Sequence, residues 1–154
     1  MASYYVDTSA LIKAYLVEAG TVWIRQIVGP VQVNDVIISK VTLAETFAAI
    51  SRRQRMGQLS DADAARLRKT FASDYATQYV KMDVTNDVVE TAADLTKRHP
   101  LRGYDAIQLA TALIVNAAQV VNGFPEFTFL SSDVTLCHAA RIEGLHVDNP
   151  NLYP

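Results

Sequence analysis

Four carboxylic acids in this chain stand where their neighbours make a carboxylate expensive. Asp7 closes the apolar run Tyr4-Tyr5-Val6, and Glu45 sits within Leu43-Ala44-Glu45-Thr46-Phe47. Asp105 opens Ala106-Ile107-Gln108-Leu109-Ala110, and Asp133 follows Phe127-Thr128-Phe129-Leu130-Ser131-Ser132. A charged group beside buried segments has to be hydrogen-bonded, paired or bound to a metal, because desolvating it alone costs several kcal/mol or forces it to protonate. Two carboxylates about 4 Å apart at an effective dielectric of roughly 20 repel by on the order of 4 kcal/mol, so four together need a counter-charge. Oxygen donors without a supporting His or Cys cluster select a hard dication, Mg2+ or Mn2+. Such an ion activates water and stabilises charge on a phosphodiester oxygen without any protein nucleophile.

Taken singly, each acid has another explanation. Asp133 also reads as the cap of a following helix, Asp105 as an acid at the positive end of a helix dipole, and Asp7 as a strand-to-helix turn residue. Glu45 is harder to excuse, because the residues after it are Thr46, Phe47, Ala48, Ala49 and Ile50 and leave little polar face. Asp87, Glu90 and Asp94, three and four apart, have the pattern of a solvated helix face instead. His99, His138 and His146 do not have the spacing of metal ligands, and Cys137 and His138 are helix neighbours that point different ways.

The elements that must position the quartet alternate. Tyr4 to Val6 is a short buried strand, after which Thr8 or Ser9 caps a helix to about Val17 that Gly20 ends. Thr21 to Val28 is a short helix stopped by Gly29-Pro30, and Val33 to Ser39 a second strand. Helices follow over Val41 to Met56 and, with Ser60 as cap, to about Thr77. A strand over Tyr79 to Met82 comes next, then helices over Thr85 to Arg98 and Gly103 to Asn116. Phe127 to Leu130 is a strand, Asp133 to Glu143 a helix and Leu145 to Val147 a last strand. Short strands joined by helices cannot pair as hairpins, so the expectation is an α/β chain, a three-layer α/β/α sandwich around a mainly parallel sheet. Ligands of such sheets bind beyond the carboxyl ends of the strands where the strand order reverses, and Asp7 and Asp133 both occupy strand carboxyl ends.

At 154 residues the chain is expected to form a single domain spanning 1–154, large enough for a real core. Half of it is hydrophobic, with only 6 Gly and 5 Pro, which excludes disorder or low complexity as a description of the whole. The net charge of −2 does not exclude a nucleic-acid partner, because the distribution matters more than the sum, and ten of the 14 basic residues fall between Arg52 and Arg102. One cysteine, no signal stretch and no uninterrupted apolar run of about 18 residues point to a cytoplasmic protein without a membrane partner.

The segments Tyr5-Val6-Asp7-Thr8-Ser9-Ala10-Leu11-Ile12, Leu43-Ala44-Glu45, Gly103-Tyr104-Asp105-Ala106-Ile107-Gln108-Leu109-Ala110 and Leu130-Ser131-Ser132-Asp133, with Ala139-Ala140 and Glu143-Gly144-Leu145, resemble the PIN-domain ribonucleases. The resemblance spans almost the whole chain in order and is nearest to the VapC toxins of bacterial toxin–antitoxin pairs. It implies a Mg2+- or Mn2+-dependent endoribonuclease that leaves a 3′-hydroxyl and a 5′-phosphate. Asp7, Glu45, Asp105 and Asp133 match the family's acidic quartet. Asp7 and Asp105 are implied as principal metal ligands, with Glu45 and Asp133 completing the cluster directly or through water. Thr8 or Ser9 is implied to orient Asp7 or a bound water. The implied partners are an RNA substrate, a cognate antitoxin and a second copy in a homodimer.

Arg52, Arg53 and Arg55, with Arg66, Arg68 and Lys69 on the next helix, have the placement to flank an RNA groove, and equally that of surface charges at helix ends. Tyr75 and Tyr79 fit either base stacking or core packing. Leu16 and Trp23 are expected to be exposed and available for an antitoxin or dimer contact. Among rival functions, a haloacid-dehalogenase-type phosphatase wants a second Asp where Ser9 stands, and a phosphoryl-receiver domain wants paired acids and a late lysine that the chain does not show. No Gly-rich phosphate loop is present. A PIN-like fold that binds RNA or protein without cutting is the remaining alternative.

Overall fold

The computed structural model describes residues 1–29 and 33–154. Five strands form one sheet: β1 (Ser3–Val6), β2 (Asp35–Ser39), β3 (Val80–Met82), β4 (Thr128–Leu130) and β5 (His146–Asp148). Their order is β3-β2-β1-β4-β5 and every pairing is parallel. The helices are α1 (Thr8–Leu11), α2 (Thr21–Val28), α3 (Val41–Arg55), α4 (Asp61–Thr77), α5 (Asn86–Arg98), α6 (Gly103–Val121) and α7 (Val134–Ile142).

The three layers follow from the two-residue period of a strand. On one face Tyr5, Ile37 and Phe129 pack with Val88, Ala92 and Leu95 of α5, Leu109 of α6 and Leu136 of α7. On the other, Val6, Val36, Ile38 and Leu130 pack with Leu11 of α1, Ile24 of α2 and Phe71 of α4. Because both faces are covered, the strands read as apolar runs rather than as alternating ones. Strand order reverses at β1, between β2 on one side and β4 on the other, and the crevice beyond the carboxyl ends of β1 and β4 is where such sheets bind ligands.

Helix starts carry side-chain caps where the sequence supplies them. Ser60 Oγ accepts from the Asp63 amide at 3.1 Å and Thr85 Oγ1 from the Val88 amide at 3.3 Å. The first helix departs from expectation. Its cap is Asp7, not Thr8 or Ser9, and it closes after one turn into a 3-10 segment over Ile12–Ala14 instead of running to Val17. A carboxylate that accepts from the Ser9 amide two residues on leaves the Thr8 and Ser9 hydroxyls free for other partners. Gly20, expected to end that helix, instead caps α2 at a φ of 86°. Pro30, expected to stop α2 together with Gly29, lies outside the described residues. The sixth helix continues to Val121, past the expected stop at Asn116. Among the described residues it is the one helix long and apolar enough to cross a membrane by length and composition, and it buries Ala106, Leu109, Ala110 and Ala112 in the core.

Leu16 and Trp23 are not free for a partner as expected. Leu16 is buried, and Trp23 stacks on Tyr153 with ring centroids 4.3 Å apart. Tyr75 and Tyr79 belong to the core around Phe71, and the Tyr79 hydroxyl lies 2.5 Å from that of Tyr15.

The C-terminal segment seats so closely on α2 that a Cβ at Gly20 would come within 2.4 Å of the Pro150 carbonyl oxygen. Gly57 also has a positive φ, 73°, but faces open space. Urea unfolding should therefore show Gly20→Ala losing clearly more stability than Gly57→Ala, whose cost is the left-handed strain alone, on the order of 1 kcal/mol. Equal losses would mean that the terminal segment does not dock there.

Candidate active site

Each of the four acids is held by one oxygen. Asp7 follows β1 directly and is 4% exposed. Its Oδ2 accepts from the Ser9 hydroxyl at 2.5 Å, the Ser131 hydroxyl at 3.0 Å and the Ser9 amide at 3.2 Å. Glu45, on α3, uses Oε1 to accept from Thr8 Oγ1 at 2.9 Å and Gln108 Nε2 at 2.7 Å. Asp105, in the first turn of α6, uses Oδ2 to accept from the Arg102 amide at 3.3 Å. Asp133 caps α7 through Oδ1, which accepts from the Leu136 amide at 3.1 Å. Capping explains Asp133 and Asp105 locally, yet only half of each carboxylate is spent on it.

The second oxygens are a separate matter. Among the described residues Asp7 Oδ1, Glu45 Oε2, Asp105 Oδ1 and Asp133 Oδ2 make no hydrogen bond, and no Lys or Arg forms an ion pair with any of the four acids. The fully enclosed, unpartnered polar side-chain atoms are Ser3 Oγ, Thr46 Oγ1 and Gln119 Oε1, so none of these four oxygens is sealed from solvent. The charges are felt from one acid to the next. Burial raises Asp7 to about 6, and the charge of Glu45 adds to this against the hydroxyls that favour ionisation. Glu45 is raised by burial and by Asp105, and Asp105 by burial and by Asp133. Each acid thus lies within electrostatic reach of the next, and two of them, Glu45 and Asp105, line one groove mouth.

Sequence reasoning passed over Gln108, the residue that ties this mouth to the core. Fully buried on α6, it accepts the Tyr5 hydroxyl on Oε1 at 2.8 Å and donates through Nε2 to Glu45, and to the hydroxyls of Thr8 and Thr42 at 3.1 and 3.2 Å. The signal was a lone amide inside Ala-Ile-Gln-Leu-Ala, where a buried polar group must find partners. Ser131 and Ser132 were also missed as members. Ser132 donates its amide to Ser9 Oγ and its hydroxyl to the Ser9 carbonyl, both at 2.9 Å, which locks β4 to the start of α1. The expected hydroxyls divide their work: Ser9 holds Asp7 and Thr8 holds Glu45.

Free hard oxygens that, among the described residues, no Lys or Arg engages in an ion pair suit a divalent ion. Among the described residues, however, no three His, Cys, Asp or Glu side chains stand close enough to hold an ion between them. An all-protein cage is therefore not preformed, and the arrangement suits the binding mode of Mg2+, which keeps most of its waters and takes one or two carboxylates.

The expected arginine cluster separates. Arg53 turns away to pair with Glu18, which also holds buried Lys13 at 2.9 Å. Arg66 pairs with Asp63, and Arg68 donates to Ser51 and Gln54. Arg52 and Arg55 alone line the groove beside Glu45, joined there by Arg102. The three histidines are not ligands: His99 pairs with Glu143 and His146 with Glu126, while His138 is exposed. Asp87, Glu90 and Asp94 stay on the outer face of α5, as a solvated set should.

Residues 4–141 match the PIN domain model, so the chain belongs to the PIN-domain family. Solved structures agree on the fold. FitAB bound to an IR36 DNA fragment is similar at a TM-score of 0.66 with 16% identity, covering 96% of this chain and 94% of that one. VapBC2 from Rickettsia felis, bound to a promoter DNA fragment, matches at 0.62 with 14% identity over 96% and 98%. VapC20 from Mycobacterium tuberculosis, described as a Sarcin-Ricin loop cleaving toxin, matches at 0.61 with 20% identity over 88% and 94%. No curated protein matches the chain in sequence.

The raised carboxyl of Asp7 has a pH consequence. Its folded value of about 6 lies above the unfolded 3.8, so the folded state binds the extra proton and metal-free stability rises as pH falls through that window. The difference is on the order of 3 kcal/mol. Urea midpoints in chelator should be higher at pH 5 than at pH 7, and Asp7→Asn should flatten the difference. A second expectation concerns Gln108→Leu, which strands the Tyr5 hydroxyl and unties Glu45. It should cost about 3 kcal/mol, whereas Gln108→Glu at low pH, where a protonated carboxyl can still donate, should cost less.

Proposed function

We propose that this chain is a Mg2+- or Mn2+-dependent endoribonuclease and the toxin of a toxin–antitoxin pair. What supports the reading is the set of four carboxylates, each anchored by one oxygen with the other free and each within electrostatic reach of the next, in a member of the PIN-domain family. The toxin assignment draws support from the neighbours: VapC20 is described as a Sarcin-Ricin loop cleaving toxin, a neighbour from Klebsiella pneumoniae as a toxin–antitoxin complex, and VapBC-5 from Mycobacterium tuberculosis as a member of the VapBC family of toxin–antitoxin systems. An antitoxin partner, an RNA substrate, a homodimer and a cytoplasmic location come with this reading.

In this reading Asp7 and Asp105 would be the principal holders of the dication, with Glu45 and Asp133 completing the cluster directly or through water. When bound, the ion supplies an acidified water and neutralises charge on the phosphodiester. The chain does the rest. Ser9 and Ser131 keep Asp7 ionised by donating to Oδ2 and so fix the direction in which Oδ1 points. Thr8 and Gln108 do the same for Glu45, which leaves Oε2 as a proton acceptor toward the attacking water. Water oxygen joins phosphorus after giving a proton to Glu45, the bond from phosphorus to the 3′ oxygen breaks, and that oxygen takes a proton from solvent to leave as the 3′-hydroxyl, with the phosphate retained on the 5′ side.

Purified protein should degrade single-stranded RNA when Mg2+ or Mn2+ is present and stop when the ion is chelated. Asp7→Asn and Asp105→Asn should each reduce the rate by at least about 100-fold while the circular dichroism spectrum is unchanged. Parent-like cleavage by both variants would remove the quartet from the reaction.

A further inference from the structure

Beside the acids runs a groove whose wall has a composition of its own. One section, about 580 Å³, is lined by Glu45, Arg102, Tyr104, Asp105 and their neighbours, and the next, about 630 Å³, by Ala48, Arg52, Arg55 and again Glu45, Arg102 and Tyr104. The shared residues make the two one continuous channel. We infer that this channel binds a single-stranded stretch of RNA, with the Tyr104 ring stacked on a base and Arg52, Arg55 and Arg102 on the flanking phosphates. The inference rests on the nuclease reading only for the choice of polymer.

Three observations converge on it. Tyr104 is 59% exposed, the most exposed of the seven tyrosines, and has neither a ring partner nor a hydrogen bond among the described residues. An exposed, unpaired aromatic at the rim of a charged channel is what a base face needs, and every base offers such a face when it is unstacked. The channel guanidiniums have no bonded partner either, although the charge of Arg102 acts on neighbouring Asp105. Arg53, Arg66 and Arg68 are all tied to groups on the protein, whereas Arg52, Arg55 and Arg102 enter no ion pair and make no side-chain hydrogen bond among the described residues. Finally, Glu45, Ala48, Arg52 and Arg55 lie at successive spacings of three, four and three on α3, which puts them in one stripe. That stripe runs about 15 Å from the acidic mouth to the cationic end, room for more than one phosphate. Ala44 and Ala48 on this face are exposed and small, so nothing fills the channel floor.

Duplex RNA hides its base faces in the stack and would leave Tyr104 without a partner, so the preference is for loops or single strands. An acidic protein segment would satisfy the arginines but not the ring, and its own charge would meet the quartet.

The test is equilibrium binding of an RNA oligonucleotide of about 12 nucleotides, carrying 2-aminopurine, by the full chain with Asp7→Asn, which separates binding from cleavage. Adding Tyr104→Ala should weaken binding roughly 5- to 100-fold and abolish the quenching of 2-aminopurine, whereas Tyr104→Phe should retain both within about twofold. Arg52→Ala with Arg102→Ala should make the dependence of log affinity on log salt shallower, by about 0.7 in slope for each phosphate no longer neutralised. Unchanged melting temperatures confirm that these surface changes leave the fold intact. Equal affinity for Tyr104→Ala and its parent, an unaltered salt slope, or competition by poly-glutamate as strong as by unlabelled RNA would each overturn the channel. If RNA binds as described but the parent protein never cuts it, the channel stands and the nuclease reading falls.

Discussion

A carboxylate almost without solvent, at the end of the central strand, is the constraint around which the rest is arranged. Asp7 has to be kept ionised at neutral pH for it to hold a cation, yet burial pushes its proton affinity up. Three donors on Oδ2 work against that, and they come from both sides of the strand-order reversal: Ser9 from the turn after β1 and Ser131 from the end of β4. Because Ser9 also accepts the Ser132 amide, the two strand ends cannot part without releasing Asp7. The parallel register of β1 with β4, pairing Val6 with Leu130, is what brings these serines level. The sheet topology and the ionisation of one side chain are therefore a single problem.

A second polar thread crosses the apolar interior to reach Glu45. Tyr5 stacks on Phe129 on one face of the sheet and sends its hydroxyl to Gln108, which donates directly to Glu45 and to the hydroxyls of Thr8 and Thr42, Thr8 in turn donating to Glu45. Burying this many polar groups is tolerable only because each has a partner, and a half-satisfied version would be worse than an apolar one. What the network contributes is direction more than stability. It fixes one oxygen of Glu45 and thereby the other, and does so from side chains on several different elements.

Much of the fold was legible because strand and helix periods survive in the sequence: the runs Val36-Ile37-Ile38 and Phe127 to Leu130 are buried on both faces, and Ser60 and Thr85 mark helix starts by their hydroxyls. The shortened first helix was not legible, since Thr8 and Ser9 are good caps and only their tertiary partners show that both hydroxyls are needed elsewhere. Glu45 was recognised for a partly mistaken reason. Its alanine neighbours Ala44 and Ala48 face solvent, so the helix did have an outward face, small rather than polar. Gln108 was hidden because one amide in an apolar helix has no periodic signature. The arginines were hidden for a similar reason: nothing local distinguishes Arg53 from Arg52, and only the folded chain brings Glu18 to one of them and not the other.

That separation of the arginines bears on how an anionic site can receive an anionic polymer at all. Carboxylates that feel one another's charge would repel a phosphate chain, and the net charge of −2 offers no long-range attraction to offset it. At physiological ionic strength charges act over about 8 Å, so only those at the lip matter to an approaching strand. Arg66 is offset by Asp63 and Arg53 shares Glu18 with Lys13 away from the groove, which leaves Arg52, Arg55 and Arg102 as the cations that line it. Arg102 shares its pocket with Glu45 and Asp105, and its charge already favours the ionised form of Asp105. Under the proposed function, a polymer drawn along the stripe would carry its phosphates from guanidinium toward carboxylate, where a dication held by the acids would be the last positive charge it meets.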